Sequence, residues 1–187
     1  HESEEEGANA GHSHTVDPHV WLDPVLAQTE VSTIAEGLAE ADPDNAEDYL
    51  ENAGIYNGKL NELDEAYRAA FEGTENRTFV TQHAAFAYLA ARYDLNQISV
   101  TGLNAEVEPS AAALATLSDY VKANNISHIY FENNASSQTA ETLAEEVGVE
   151  LAVLSPLEGI TEEDQKEGSD YISVMLDNLE ALKKSIN

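Results

Sequence analysis

Six histidines and no cysteine define the chemistry open to this 187-residue chain. Without thiols there are no disulfides, no thiolate metal sites and no cysteine nucleophile, so imidazole and carboxylate are the groups left for metal binding or proton transfer. His19 stands in Asp17-Pro18-His19-Val20-Trp21-Leu22-Asp23-Pro24, where two Asp-Pro pairs and a Trp stiffen the backbone. A rigid frame suits a metal ligand, because preorganisation strengthens binding; a histidine packed in a turn is the alternative. His83 follows the β-rich run Thr78–Gln82, at a strand-to-helix junction where side chains point into a cleft, and reads equally well as functional or packed. Glu158, in Ser155-Pro156-Leu157-Glu158-Gly159 after the last β-rich run, is a ligand candidate or a solvated loop acid. His1, His12 and His14 lie in an acidic segment ending near Thr15, a composition that suits weak, adaptable metal binding or a plain loop. His128 precedes a strand, at the opposite end of the sheet from His83, and reads as structural or solvated.

No enzyme motif accompanies these residues. GxSxG, Walker A, GxGxxG and HExxH are all absent. With 36 Asp and Glu, no single carboxylate pair signals acid–base catalysis. Glu106 and Glu108 read as cap and turn acids before a helix starting near Ser110, with Glu108 also able to face a cleft.

Positioning these residues is the task of an alternating pattern. Asp23 before Pro24 is a helix N-cap followed by a first helical position, and Val25, Leu26, Val31, Ile34 and Leu38 continue the helix to about Glu40. Apolar residues from Tyr49 to Phe71 recur every three or four positions, which predicts one long helix over Asn45–Glu72, ~40 Å at 1.5 Å per residue. Gly54 and Gly58 weaken its middle. From Thr78 onward, β-rich runs at Thr78–Gln82, Gln97–Val100, Ile129–Glu132 and Leu151–Leu154 alternate with helical runs at Ala84–Tyr93, Ser110–Asn124, Ser136–Val147 and Ser169–Ser185. That alternation predicts an α/β fold, a mainly parallel four-stranded sheet flanked by helices. Ligands of such sheets bind beyond the carboxyl ends of the strands, where His83 and several carboxylates gather.

Charge narrows the partners. Eight Lys and Arg against 36 acids leave a net charge of −28, which excludes nucleic acid and disfavours anionic membrane surfaces, both of which need clustered basic residues. A 42% hydrophobic content supports a folded core despite the charge, and no apolar run reaches the ~18 residues of a membrane span.

Taken together in chain order, five stretches resemble the metal-binding solute receptors of ABC importers. Asp17 to Pro24 matches that family's DPHxWLDP signature, and Thr81-Gln82-His83-Ala84-Ala85-Phe86-Ala87-Tyr88-Leu89 its next ligand segment. Glu106-Val107-Glu108-Pro109-Ser110, Phe131-Glu132-Asn133-Asn134-Ala135 and Ser155-Pro156-Leu157-Glu158-Gly159 follow, before a closing helix with Tyr171 and Leu179. The likeness covers nearly the whole chain and is nearest the zinc-uptake branch of ZnuA/AdcA type. It implies a receptor of two lobes joined by a long rigid helix, with the metal between them. On that template residues 1–16 are the tail of a His-rich acidic loop, 17–44 a remnant of the amino-terminal lobe, 45–73 the linking helix and 74–187 the carboxyl-terminal α/β lobe. The family's ligands carry over as His19, His83 and Glu158, with His12 and His14 as auxiliary candidates. Its first His ligand, its lipid-attachment region and its first βα units fall upstream of His1.

The resemblance therefore implies Zn2+ as cargo, an ABC permease as partner, and a place outside the cell membrane, lipid-anchored or periplasmic, with no enzymatic activity. Two imidazoles and a carboxylate, joined by an upstream imidazole, suit tetrahedral zinc. The family's manganese branch, with a carboxylate where His83 stands, is the alternative. A His2Glu zinc hydrolase is the other; ligands drawn from distant segments, with no general base paired to a substrate cleft, favour capture and release. Cell-surface receptors can also touch host molecules, though no residue supports that role specifically.

Overall fold

The structure, a computed structural model, describes residues 16–103, 110–124, 126–132, 141, 144–160 and 162–187. A 3₁₀ turn at Val20–Leu22 leads into helix α1, Pro24–Ala41, whose cap is Asp23: its carboxylate accepts the amides of Val25 and Leu26. Asp42-Pro43 ends α1 and opens a second 3₁₀ turn, Pro43–Asn45, from which α2 runs without a break over Ala46–Phe71, through Gly54 and Gly58. Only the second half of α2 buries a face: Leu60, Leu63, Asp64, Tyr67 and Phe71 repeat at helical spacing against the sheet. Its first half packs along α1 instead.

Four short strands follow: β1 (Thr78–Thr81), β2 (Asn96–Ser99), β3 (His128–Phe131) and β4 (Glu150–Val153). All described pairings are parallel, in the order β2-β1-β3-β4. The connecting helices are α3 (Ala87–Arg92) and α4 (Ala111–Asn124), with residues 144–147 helical before β4. After β4 come α5 (Glu162–Glu167) and α6 (Tyr171–Leu182), the latter opened by an Asp170–Ser173 capping box.

Alternation along β1 creates two cores. Phe79 faces one, with Leu63, Tyr67, Leu89, Met175 and Leu182 from α2, α3 and α6; Val80 faces the other, with Leu117, Val121, Ile129 and Val147. Both are fully buried, which stabilises the fold by about 2 kcal/mol per side chain. Buried polar bonds fasten the first core: the Tyr67 hydroxyl donates to the Met175 carbonyl at 2.7 Å, and Tyr130 donates to Ala181 at 2.9 Å. Burial pushes the Tyr130 phenol up to about 12.

The predicted helix at Ala84–Tyr93 starts three residues later than its periodicity suggests. The Ala84 amide donates to the Gly102 carbonyl, and the His83 carbonyl accepts from Thr81 Oγ1 and Gln97 Nε2. Those bonds to the neighbouring strand's loop replace the first helical turn and hold His83 in a bend.

Candidate metal centre

Three segments distant in sequence converge beyond the carboxyl ends of the strands. His19 sits just before the 3₁₀ turn and is 2% exposed. Asp17 Oδ1 accepts both its backbone amide, at 3.0 Å, and Nδ1, at 2.7 Å. A carboxylate on Nδ1 holds the ring so that Nε2 points the other way. There it meets Glu158 Oε1 at 3.0 Å. Each ring nitrogen of His19 therefore faces a carboxylate oxygen.

His83, after β1, is built the same way. Its Nδ1 is bonded to Glu132, the residue that follows β3, and both side chains are buried. Its Nε2 is buried, has no hydrogen-bond partner among the described residues and lies 3.8 Å from Glu158 Oε1. Burial pushes the His83 imidazole down, but the hydrogen bond and charge of Glu132, reinforced by Glu158 and Asp17, outweigh it and leave the pKa above 6.5. The two rings stand edge to face, 5.3 Å apart. Glu158, on the loop after β4, is the one partly exposed member of the group.

One ligand atom from each of His19, His83 and Glu158 lies within 4.8 Å of the others. Ligand atoms ~2 Å from a tetrahedral zinc are ~3.3 Å apart; the 3.0 and 3.8 Å separations bracket that spacing. An orphaned, buried, aimed nitrogen costs free energy unless something binds it, and a soft-to-intermediate cation is what this donor set suits. The residues present thus fit a zinc ion.

The three residues named from the sequence are brought together; the others are not. His128 opens β3 at the far end of the sheet, 3.4 Å from Glu150 and bonded to Ser127 Oγ. His1, His12, His14, Glu106 and Glu108 lie outside the described residues. Trp21 packs partly against the main core. Sequence reasoning missed the roles of Asp17 and Glu132. Asp17, two residues before His19, was within reach of a local argument; Glu132 becomes visible only once β3 is known to lie beside β1.

The chain is similar to known proteins in both sequence and fold. The family model for zinc-uptake complex component A, periplasmic, matches residues 1–185. Zinc-binding protein AdcA of Streptococcus pyogenes serotype M1 is 54% identical over 173 residues, 92% of this chain and 34% of the relative. The high-affinity zinc uptake system protein ZnuA of Bacillus subtilis is 49% identical over 174 residues, 93% of this chain and 54% of the relative. The crystal structure of the Zn(II)-bound ZnuA-like domain of Streptococcus pneumoniae AdcA superposes with a TM-score of 0.80 at 51% identity, over 90% of this chain and 63% of that one. The laminin-binding protein of Streptococcus agalactiae, described as a bifunctional protein with adhesin and metal transporting activity, gives 0.81 at 36% identity, over 90% of this chain and 64% of that one. The chain spans from a third to a half of the length of these curated relatives. It belongs to the ZnuA family, the zinc-uptake complex component A receptors.

Proposed function

We propose that this chain is the metal-holding part of an extracellular receptor that captures Zn2+ and hands it to an ABC importer in the membrane. His19 Nε2, His83 Nε2 and Glu158 are its ligands, with a further imidazole from the upstream lobe completing the tetrahedron. The observation that carries this reading is the Nε2 of His83, buried, without a hydrogen-bond partner among the described residues, and aimed at Glu158 and His19. In this reading residues 17–44 belong to the amino-terminal lobe, 45–73 link the lobes and 74–187 form the carboxyl-terminal lobe. The ion is cargo, so the chain's part is to supply donors of the right softness, aim them and release them.

A hydrolase reading has less support. Asp17 and Glu132, the other two carboxylates that touch His19 and His83 among the described residues, are both engaged on imidazole Nδ1 atoms. Neither is free to act as a general base toward water. The nitrogen-rich donor set likewise favours zinc over manganese. Competition titration with both metals tests the proposal: wild type should prefer zinc, and His83→Ala should weaken zinc binding at least about 100-fold. Equal affinity for the two metals, or a silent His83→Ala, would sink it.

A further inference from the structure

We infer that Trp21, Tyr171 and Asn178 form a hydrogen-bonded brace that positions two of the three metal-binding side chains, His19 and Glu158, on one face of α6 and sets how slowly the site releases its ion. This rests on the reading of those side chains as zinc ligands.

The loop that carries Glu158 leaves β4, at the edge of the described sheet, and so has, among the described residues, a strand neighbour on one side only. Asn178 of α6, 3% exposed, stands in for the missing neighbour. Its Oδ1 accepts the Ser155 amide and its Nδ2 donates to the Ser155 carbonyl, both at 2.8 Å. The next carbonyl, that of Pro156, accepts the Trp21 indole N–H at 2.9 Å. Leu157 then adopts a left-handed backbone, φ 54°, which a leucine takes up only when its surroundings impose it. They do: its amide donates to Ser155 Oγ and its side chain packs against the main core. This turn sends Glu158 back toward His19.

The other side of the brace starts from the same tryptophan. Trp21, two residues past His19, offers its backbone carbonyl to the Tyr171 hydroxyl at 2.6 Å. Tyr171 is the first residue of α6, and Asn178 lies seven residues on, two helical turns along the same face. The path from Tyr171 through Trp21, Pro156 and Ser155 to Asn178 therefore closes on itself. Both ligand-bearing segments are clipped to one helix, and α6 is held to α2 through Tyr67 and Met175. His83, delivered by β1, stands outside the ring. None of the three brace side chains is itself a ligand; each is a positioning residue for the exposed Glu158 and for the His19 turn.

The test uses the full chain with Tyr171→Phe, which deletes one hydroxyl, and Trp21→Phe, which deletes the indole N–H, singly and together. Readouts are the zinc dissociation rate into excess chelator, the visible absorption of bound Co(II), which reports ligand geometry, and the melting temperature of the metal-free protein. Each single variant should release zinc about tenfold faster and shift the Co(II) bands. The double variant should be less than additive, because both substitutions open the same ring. Unchanged dissociation and Co(II) spectra in both variants, with His83→Ala still abolishing binding, would overturn the brace alone. So would a lowered melting temperature with unchanged dissociation, since that marks a purely structural role. Failure of the wild type to retain zinc, or full binding by His83→Ala, would overturn the ligand reading and the brace with it.

Discussion

At the scale of single residues, the site depends on carboxylates that never need to touch the metal. Glu132 holds His83 by Nδ1 and leaves Nε2 aimed at the centre. It also favours the protonated ring, which is why the His83 pKa lies above 6.5 although burial alone would lower it. In the proposed site, protons and zinc compete for this nitrogen. Because the folded pKa is raised, protonated His83 stabilises the metal-free fold at low pH, and that contribution fades as pH climbs through the folded value. In the proposed site zinc works in the opposite direction, since a metal ligand is the neutral ring. The rise in melting temperature caused by zinc should therefore grow steadily from about pH 5 to about pH 8. Glu132→Gln should move the midpoint of that growth to lower pH, while weakening zinc binding at pH 8 about 10- to 100-fold through loss of ring orientation. Melting curves with and without zinc across this range measure both effects. An unmoved midpoint would show that Glu132 does not set the titration of His83.

At the scale of elements, the start of α1 is joined to the end of α3 through one buried carboxylate. Asp23, 3% exposed, caps α1 and also accepts Arg92 through Nε and Nη2, at 2.8–3.0 Å. This fixes the entry of α1, and with it the turn bearing His19, relative to the sheet. Asp23→Ala removes a cap, worth about 1 kcal/mol, and leaves Arg92, 28% exposed, without its partner. The combined cost should be about 2–4 kcal/mol. Asp23→Asn preserves the cap acceptor and should cost less than the alanine variant. Denaturant unfolding ranks the two; equal losses would mean that the ion pair contributes nothing. The other two arginines are also held by hydrogen bonds, Arg68 as a half-exposed pair along α2 and Arg77 across the loops beside β1. Arg68 pairs with Asp64, and Arg77 donates to the carbonyls of Phe71, Tyr93 and Asp94.

At the scale of the whole molecule, charge dominates. A chain with net charge −28 and its three arginines already bonded to acids or carbonyls presents an acidic surface whose self-repulsion opposes compaction. Salt shortens the screening length from ~10 Å at 0.1 M to ~3 Å at 1 M. The surface repulsion should be screened more strongly than the half-buried arginine pairs, so the melting temperature of the metal-free protein should rise over that range. The same field draws cations toward the site, and the zinc association rate should fall with added salt while dissociation changes little. Differential scanning calorimetry and stopped-flow binding in an inert salt series check the two trends. A melting temperature that drops with salt would mean the internal ion pairs outweigh the repulsion.

Local pattern alone determined much of this protein. The four strands, the long helix and the cap at Asp23 follow from periodicity and turn chemistry, which act between near neighbours in sequence. The ordered motifs named His19, His83 and Glu158, and the fold brings these into one cluster. Tertiary structure decided what depends on non-local pairing. The sequence carries no rule that β1 lies between β2 and β3, yet that order sets Glu132 beside His83. Nothing in the spacing of Trp21, Pro156, Tyr171 and Asn178 reveals that they meet, because each bond spans a different element and forms only when α6 docks. The delayed start of α3 has the same origin: Ala84 and His83 bond to β2 and its loop rather than to their own helix. Side-chain type specifies which atoms can bind a metal. The order in which strands and helices pack specifies which carboxylates aim them.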